Sequence, residues 1–373
     1  MNQIRWLRIL VISISYGFFF IYSEAALARI SEGMTLEDQI ERFWPVRSAA
    51  TLRILNSRGS IHVKGYPLDQ IRVEATRKIR GGGSLFESQA LLNATTVELK
   101  QGDELLELSA RYGVGFDIGE KVQEQFSPEI STDLVVRAPS NLRLEILGRD
   151  GEVSISGWNG DIDIRVGAAA VRLQFIKSDL AKIICTDCVM YLKDITSSIN
   201  LSGGSGTLQL DRIEGESIRA STTSGNIFIN SIKGNQTYLT QSGAIQGNST
   251  TGEIQIQSVN GSATLKGLSG SVNGVFGVGT VDLEIKQWRG SQSHYLESES
   301  GDINIKLKKQ SSIELEAISV SGKVRSDFEY LIDPWAEEYG PVPDQRRTGK
   351  LGFGRSFLRI QSKKGNIEIG QMR

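Results

Sequence analysis

Two aspartates, Asp161 and Asp163, are the residues of this sequence best placed for acid–base chemistry. They lie in Gly160-Asp-Ile-Asp-Ile164, where the alternation predicts a strand with both carboxylates on one face, about 7 Å apart. Paired-carboxylate glycosidases use separations of this order. Alternating polar residues are equally typical of a solvent-facing strand. No aspartate pair, basic residue and histidine recur together, as a catalytic site would need. We therefore expect no catalytic residues and no enzyme.

The only cysteines form the motif Cys185-Thr-Asp-Cys188. In an oxidising compartment such a pair predicts a disulfide if the chain turns tightly between the two, and free thiols if it runs extended. A metal site would need two further ligands, and the only histidines, His62 and His294, are far away in sequence. Both histidines are expected on the outer side of strands. We expect neither a metal nor another cofactor.

One late segment has the residue types of a binding site. Aromatic and arginine side chains are enriched at binding hot spots because they combine contact area with a directional polar group. The segment 327–355 lacks alternation and contains three prolines, so it is expected to be a long loop inserted before the last strands. Its candidate binding residues are Tyr330, Trp335, Tyr339, Arg346 and Arg347. The alternative is a loop that packs over the end of the fold, which the same aromatic residues would serve.

A nine-residue glycine repeat is the main organising feature of the chain. After each glycine, apolar and polar residues alternate, which predicts a strand of about five residues followed by a turn of about four. The repeated glycines are Gly225, Gly234, Gly243, Gly252, Gly261, Gly270 and Gly279. The turns lack the aspartate of calcium-binding nonapeptide arrays, so stacked calcium ions are not expected.

Two such units per coil predict a solenoid with eighteen residues in each turn. Ile227 and Ile245 would then share one interior column, followed by Ala263 and Val281. Gln236 and Tyr238 break the pattern, because they occupy inward positions while Leu239 falls outside, and a one-residue slip or a bulge would restore it. The alternative is an antiparallel meander or β-sandwich, which nine-residue spacing also permits.

Weaker copies of the repeat divide the chain into regions. Residues 141–373 are expected to form the solenoid, and residues 51–140 an N-terminal β cap region with hairpins. Residues 29–50 are interpreted as a linker in which Thr35 to Phe43 form one short helix. Residues 1–28 have a basic start, an apolar run and Ala26-Leu27-Ala28 at the end, which together predict a cleaved signal peptide.

The composition of the mature chain argues against nucleic acid and a membrane span as partners. The sequence has 373 residues, with 42 basic and 43 acidic side chains and a formal net charge of −1. This balance leaves no basic face for nucleic acid. No segment after the leader is long and apolar enough to cross a bilayer, so no stable membrane span is expected after cleavage. The expected location is exported: the periplasm, the cell envelope or the outside of the cell.

Three stretches of sequence resemble a known family. The chain resembles the bacterial exported putative adhesins of unknown function, related to autotransporter adhesin-like head domains. The matching stretches are Leu52 to Gly65, Val135 to Ser140 and Ser362 to Ile369, together with the Ser-Gly and Thr-Gly turns. The resemblance implies a right-handed parallel β-helix and carries over no catalytic residue. The cysteine pair and the long loop depart from the family pattern.

Three functions follow as hypotheses. The first is a non-enzymatic, adhesin-like binding or structural module that presents its surface to a surface glycan or an envelope protein. The second is a β-helical polysaccharide lyase or hydrolase that uses carboxylates on one wall. The third is an envelope sensor or regulatory docking protein.

Overall fold

The structure is a computed structural model. It describes residues 35–46, 50–67, 69–81, 85–112, 129–288, 293–329, 331 and 345–372. The predicted signal peptide therefore lies outside the described residues. Within them the fold is all-β with one helix, as the sequence predicts.

The strands and the helix follow one another along the chain in three groups. The first group comprises β1 Thr35–Pro45, β2 Thr51–Arg58, β3 Ile61–Tyr66, β4 Gln70–Arg80, α1 Leu85–Ala94, β5 Thr96–Gln101, β6 Leu105–Arg111 and β7 Glu129–Pro139. The second comprises β8 Arg143–Trp158, β9 Ile162–Ser205, β10 Leu208–Ser224, β11 Ile227–Ser242, β12 Ile245–Asn260, β13 Ala263–Val278, β14 Val281–Gln287, β15 Ser293–Ser300 and β16 Ile303–Leu307. The third comprises β17 Ile313–Ser319, β18 Val324–Ser326, β19 Arg346–Leu351, β20 Ser356–Lys364 and β21 Ile367–Gln371.

Parallel pairing at a spacing of eighteen residues holds the middle of the chain together. Ile227 pairs with Ile245, Ile245 with Ala263, and Ala263 with Val281, all in parallel register. Their side chains are buried in one continuous apolar core. The predicted columns are confirmed, and the antiparallel alternative is wrong for this region, because each strand pairs with its own continuation one coil later. The result is a β-solenoid-like repeat fold.

The single glycine repeat of the sequence separates into two columns in space. Gly225, Gly243 and Gly261 stack at one corner of successive coils, whereas Gly234 and Gly252 stack at another. At each of these glycines the backbone approaches so closely that an added Cβ would overlap the carbonyl oxygen of the glycine one coil before. Gly234, Gly243 and Gly252 also have positive φ, which L-residues rarely adopt. Glycine is therefore required for stacking as well as for turning.

Each coil has two stretches in which the backbone pairs continuously with the neighbouring coils, and we call them the first and second walls. In β11 the first wall is 227–230 and the second wall is 236–240. Between them Ser231 has φ 56°, and its equivalents in neighbouring coils also lie in the left-handed region. These equivalents are Phe175, Asp194, Arg212 and Ser249. The repeated left-handed residue marks where the backbone leaves one wall for the other.

The predicted slip near Gln236 is wrong. Gln236 pairs with Ile254 and Tyr238 with Ile256 in unbroken register, and both polar side chains are buried in the interior. The Tyr238 hydroxyl donates to Gln236 Oε1 at 2.9 Å, and Gln236 Nε2 donates to the carbonyls of Gly234 and Thr251 at 3.1 and 3.2 Å. Burial raises the pKa of the Tyr238 phenol. The two polar side chains therefore satisfy each other at their inward positions. A register shift does occur opposite this segment, in β10 between Glu214 and Ser217, but it leaves Gln236 and Tyr238 inside.

The order of strands in space departs from the order in sequence at both ends. At the C-terminal end β20 lies between β15 and β17, and β21 lies between β16 and β18. At the N-terminal end β2 lies between β8 and β6, and β3 between β8 and β7. Antiparallel strands complete the two ends: β1, β4 and β5 at one, and β19 at the other.

Two local predictions are also corrected. The expected helix from Thr35 to Phe43 is part of strand β1, whose whole length pairs antiparallel with β4. Pairing of eleven residues with a neighbouring strand outweighs the weak local helix preference. The late loop is shorter than expected, because Arg346–Leu351 forms β19 against β17.

Candidate functional site

A shallow groove runs over the outer side of the second wall. Its volume is about 270 Å³, and its lining comes from five successive coils. The lining residues are Arg219, Thr237, Leu239, Gln255, Ile256, Gln257, Asn273 and Tyr295. Arg219 pairs with Thr237, Thr237 with Gln255, and Gln255 with Asn273, so one column of outward side chains forms the floor. Polar groups therefore recur at the strand spacing, about 4.8 Å.

The side chains that line this groove can contact a ligand through hydrogen bonds and through one aromatic ring. Glutamine and asparagine side chains each offer a donor and an acceptor, and the Tyr295 ring is 48 % exposed at one end. Asn273 Oδ1 accepts the Tyr295 backbone N–H at 3.1 Å, which ties the two coils together. Among the described residues, those that line the groove include no aspartate, glutamate, histidine or cysteine. The paired carboxyl groups that glycosidases use are therefore not present in this groove.

The two candidate catalytic aspartates have structural partners. Asp161 Oδ1 accepts the backbone N–H of Leu180 in the next coil at 2.9 Å. Asp163 forms a bidentate pair with Arg165, at 3.1 and 3.0 Å, on the solvent side of β9. The first contact belongs to a series, since Asn226 accepts from Ala244 N–H in the same way at 2.8 Å. Asp161 thus links neighbouring coils rather than facing a cleft.

The two histidines differ. His62 lies on strand β3, partly exposed, between the buried Ile61 and Val63. The expectation for His294 is wrong: it is 1 % exposed and shares the interior column of Val272 and Leu358. Side chains alternate along β15, so His294 faces the interior like the buried Leu296, and Tyr295 between them faces outward. Burial lowers the pKa of His294, with the charge of Glu253 opposing the shift. Neither ring nitrogen has a hydrogen-bond partner among the described residues.

The cysteine pair lies at a corner of the solenoid. The Cα atoms of Cys185 and Cys188 are 5.9 Å apart, and their sulfurs are in bonding contact. Cys188 occupies the corner position, because an added Cβ at Gly206 would overlap its carbonyl oxygen. In three other coils the residue three before the corner glycine is a serine whose hydroxyl donates to a corner carbonyl: Ser258 to Gly261 O at 3.1 Å, Ser319 to Gly365 O at 2.7 Å and Ser362 to Gly301 O at 3.3 Å. The pair therefore stands where these three coils have a hydrogen bond.

The five candidate binding residues of the late segment are only partly described. Tyr330, Trp335 and Tyr339 lie outside the described residues. Arg346 donates to Glu316 Oε1 at 2.7 Å across the β17–β19 ladder, and Arg347 Nη1 donates to the Arg346 carbonyl at 3.0 Å. The two arginines are strand residues with partners of their own.

Sequence reasoning missed the groove of the second wall. Its signal was present in the outward positions at the eighteen-residue spacing, where Thr237, Gln255 and Asn273 recur. The fourth contributor, Tyr295, follows at a spacing of twenty-two because a longer corner precedes it. In the described part of the chain, no three metal-ligating side chains come together. No helix there is long and apolar enough to span a bilayer.

Comparisons with known proteins identify a family and distant structural neighbours. The sequence profile of the Toastrack DUF4097 family matches residues 51–370. No curated protein matches. A putative cell adhesion protein from Clostridium sporogenes is 10 % identical, with 90 % of this chain and 100 % of that chain covered and a TM-score of 0.19. A putative adhesin from Bacteroides fragilis is 12 % identical, with coverage of 90 % and 97 % and a TM-score of 0.28. A putative lipid binding protein from Parabacteroides distasonis is 10 % identical, with the same coverage and TM-score. Because identities and TM-scores are this low, no property of the chain is inferred from these three proteins.

Proposed function

The chain belongs to the Toastrack DUF4097 family, and we propose that it is an exported, non-enzymatic binding module of the cell envelope whose ligand lies along the outer side of the second wall. The ligand class is a surface glycan, with an envelope protein as the alternative partner. No nucleic acid is involved, because the formal net charge of −1 supplies no basic face for it.

The observation that carries this proposal is the groove itself. Its polar side chains repeat along the solenoid axis, and its lining combines Arg219 with the exposed ring of Tyr295. A polymer with a regular repeat can contact equivalent groups coil after coil, since the coils supply them at constant spacing. Tyrosine gives contact area with little loss of conformational freedom, and amides fix orientation.

The absence of enzymatic activity is proposed on the same residues. The groove lining contains no carboxylate, and Asp161 and Asp163 are bonded to Leu180 N–H and to Arg165. The second hypothesis would need an acid and a base that converge on one cleft. We therefore retain it only as an outcome of the test below.

The finer architecture completes the proposal. We propose that the coil is right-handed, in accordance with the strong preference of parallel crossover connections. Residues 51–140 form a cap region, residues 141–373 form the solenoid, and the antiparallel strands at the two ends block further edge pairing. Residues 1–28 direct export, and the oxidising compartment joins Cys185 to Cys188.

Binding of purified protein to an array of envelope glycans tests the function. Truncation of two groove side chains, Gln257→Ala and Tyr295→Ala, should weaken binding at least about tenfold, because both contribute contact area to the ligand. The matched control is Gln246→Ala with Tyr191→Ala on the outer side of the first wall. Equal loss in both double variants contradicts the groove. Polysaccharide cleavage that disappears in Asp161→Ala/Asp163→Ala contradicts the non-enzymatic role.

A further inference from the structure

A second pocket lies at the corners that join the first wall to the second wall, near the C-terminal end of the solenoid. Its volume is about 350 Å³, and it is lined by Lys286, Gln287, Trp288, Lys308, Gln310, Ser311, Ser312, Arg355 and Ser356. These residues come from three successive corners. Ile285 pairs with Leu307, so Lys286 and Lys308 follow one another on adjacent coils.

Backbone contacts hold the corners of this pocket in place. The Ser311 N–H donates to the Lys308 carbonyl at 3.0 Å and closes one turn. The Arg355 N–H donates to Ser312 Oγ at 3.4 Å and joins that turn to the next corner. Ser356 pairs with Ile313 in parallel register. The pocket is therefore built on ordered strand ends.

The lining is rich in donors and has no negative charge. Three cationic side chains, Lys286, Lys308 and Arg355, line it without any aspartate or glutamate. The nearby Glu314 is paired with Lys350, at 3.5 Å. In addition, the buried Nε1–H of Trp288 has no acceptor within the described residues. Because the Nε1 atom is shielded from solvent, it does not itself offer a donor to a ligand in the pocket. Trp288 lines the pocket, and its ring centroid lies 4.7 Å from that of His294.

We infer that this pocket binds an oxyanion carried by a sugar, as a carboxylate, sulfate or phosphate group on an acidic polysaccharide. Charge-assisted bonds from lysine and arginine suit the oxyanion, and Gln287 and Gln310 provide the donors and acceptors that sugar hydroxyls need. The volume falls in the range of small-molecule sites, which suits one sugar unit. This site is separate from the second-wall groove and does not depend on it.

A membrane surface is the competing partner. Phe353 is 87 % exposed, and the Arg355 guanidinium lies 5.8 Å from its ring centroid. An exposed aromatic beside a cation also occurs on proteins that dock to anionic lipid. We favour the sugar because the three cationic side chains line a concavity, whereas a bilayer needs a protruding surface.

Charge-matched variants test the inference. The pocket variant carries Lys286→Gln, Lys308→Gln and Arg355→Gln. The control carries Lys64→Gln, Lys177→Gln and Lys364→Gln, three exposed lysines outside the pocket, and loses the same charge. Affinity for polygalacturonate, dextran sulfate and a phosphorylated dextran is measured with neutral dextran as the reference. The pocket variant should lose at least about tenfold in affinity for the acidic polymers and the control variant much less.

A second measurement does not depend on these variants. The indole N–H signal of Trp288, assigned with Trp288→Phe, should shift when galacturonate or glucose 6-phosphate is added and stay in place with glucose. Equal loss of affinity in the two triple variants would mean that only net charge matters and would overturn the site. Binding to anionic vesicles that depends on Phe353, with no shift of the Trp288 signal by acidic sugars, would replace the sugar with a membrane. Loss of neutral-glycan binding in the groove variant, with acidic binding retained, would separate the two sites.

Discussion

The cysteine corner offers a direct test of how one coil is closed. Cys185 and Cys188 stand where several other coils have a serine and a glycine, and Cys185 Sγ also lies 3.2 Å from the Gly167 carbonyl oxygen of the preceding coil. A serine at 185 would therefore place a hydroxyl near the same carbonyl. One variant, Cys185→Ala/Cys188→Ala, removes the disulfide. A second, Cys185→Ser/Cys188→Ala, also removes the disulfide but provides a hydroxyl for the hydrogen bond.

The expected magnitudes follow from the size of the ring. The two cysteines are separated by three positions, so the closed loop contains four residues. The chain-entropy relation gives about 2 kcal/mol for a loop of this size. A hydroxyl-to-carbonyl hydrogen bond restores about 1 kcal/mol. Cys185→Ala/Cys188→Ala should thus lose about 2 kcal/mol of unfolding free energy, and Cys185→Ser/Cys188→Ala only about 1 kcal/mol.

Urea unfolding followed by circular dichroism compares the three proteins, and amide hydrogen exchange of 181–192 reports the corner itself. The mass of the denatured, alkylated protein shows whether the pair is oxidised. Equal stability of the two variants would refute the equivalence with the serine corners. A pair that remains reduced after purification from an oxidising compartment would refute the cross-link.

Three further predictions concern stacking, buried polarity and pH. Gly252→Ala should lower the free energy of unfolding by several kcal/mol, because its φ is 129° and the new Cβ would overlap a carbonyl oxygen. Gly102→Ala should lower it little, because the new Cβ there meets only one atom, at 3.5 Å. Thermal unfolding compares the two variants, and similar losses would contradict the stacking argument. Gln236→Leu and Tyr238→Phe should each lower the free energy of unfolding by about 1–3 kcal/mol, because each change leaves the other polar group unsatisfied. The double variant should lose less than the sum of the two. Additive losses in a urea double-mutant cycle would contradict a direct interaction between the two side chains. Burial lowers the pKa of His294 in the folded protein below the ordinary histidine value of about 6.5. The unfolded state therefore binds the proton more readily, so stability should be full above about pH 6.5 and fall below it. His294→Leu should remove this part of the pH dependence, and an unchanged profile in urea unfolding from pH 7.5 to 5 would contradict the assignment.

Much of the central architecture is determined by local sequence. The alternation after each glycine sets which side chains turn inward, and the repeat length sets which residues stack, so Ile227 over Ile245 follows from the printed sequence. The need for glycine at Gly243 follows too, because glycine recurs at the same corner in Gly225 and Gly261, where the backbones of successive coils approach closely. Such features are predictable because each coil contacts mainly its neighbours.

The tertiary structure decided what depends on distant residues. The insertion of β20 between β15 and β17 joins segments that the sequence keeps far apart, and no local pattern specifies it. His294 and Tyr295 could each have faced inward in Ser-His-Tyr-Leu, and the register against β13 and β20 placed the histidine inside. Both candidate sites gather residues from several coils or corners. The period of a repeat is a local property of the chain, whereas the pairing of its ends and the surfaces between its coils arise only when the coils meet.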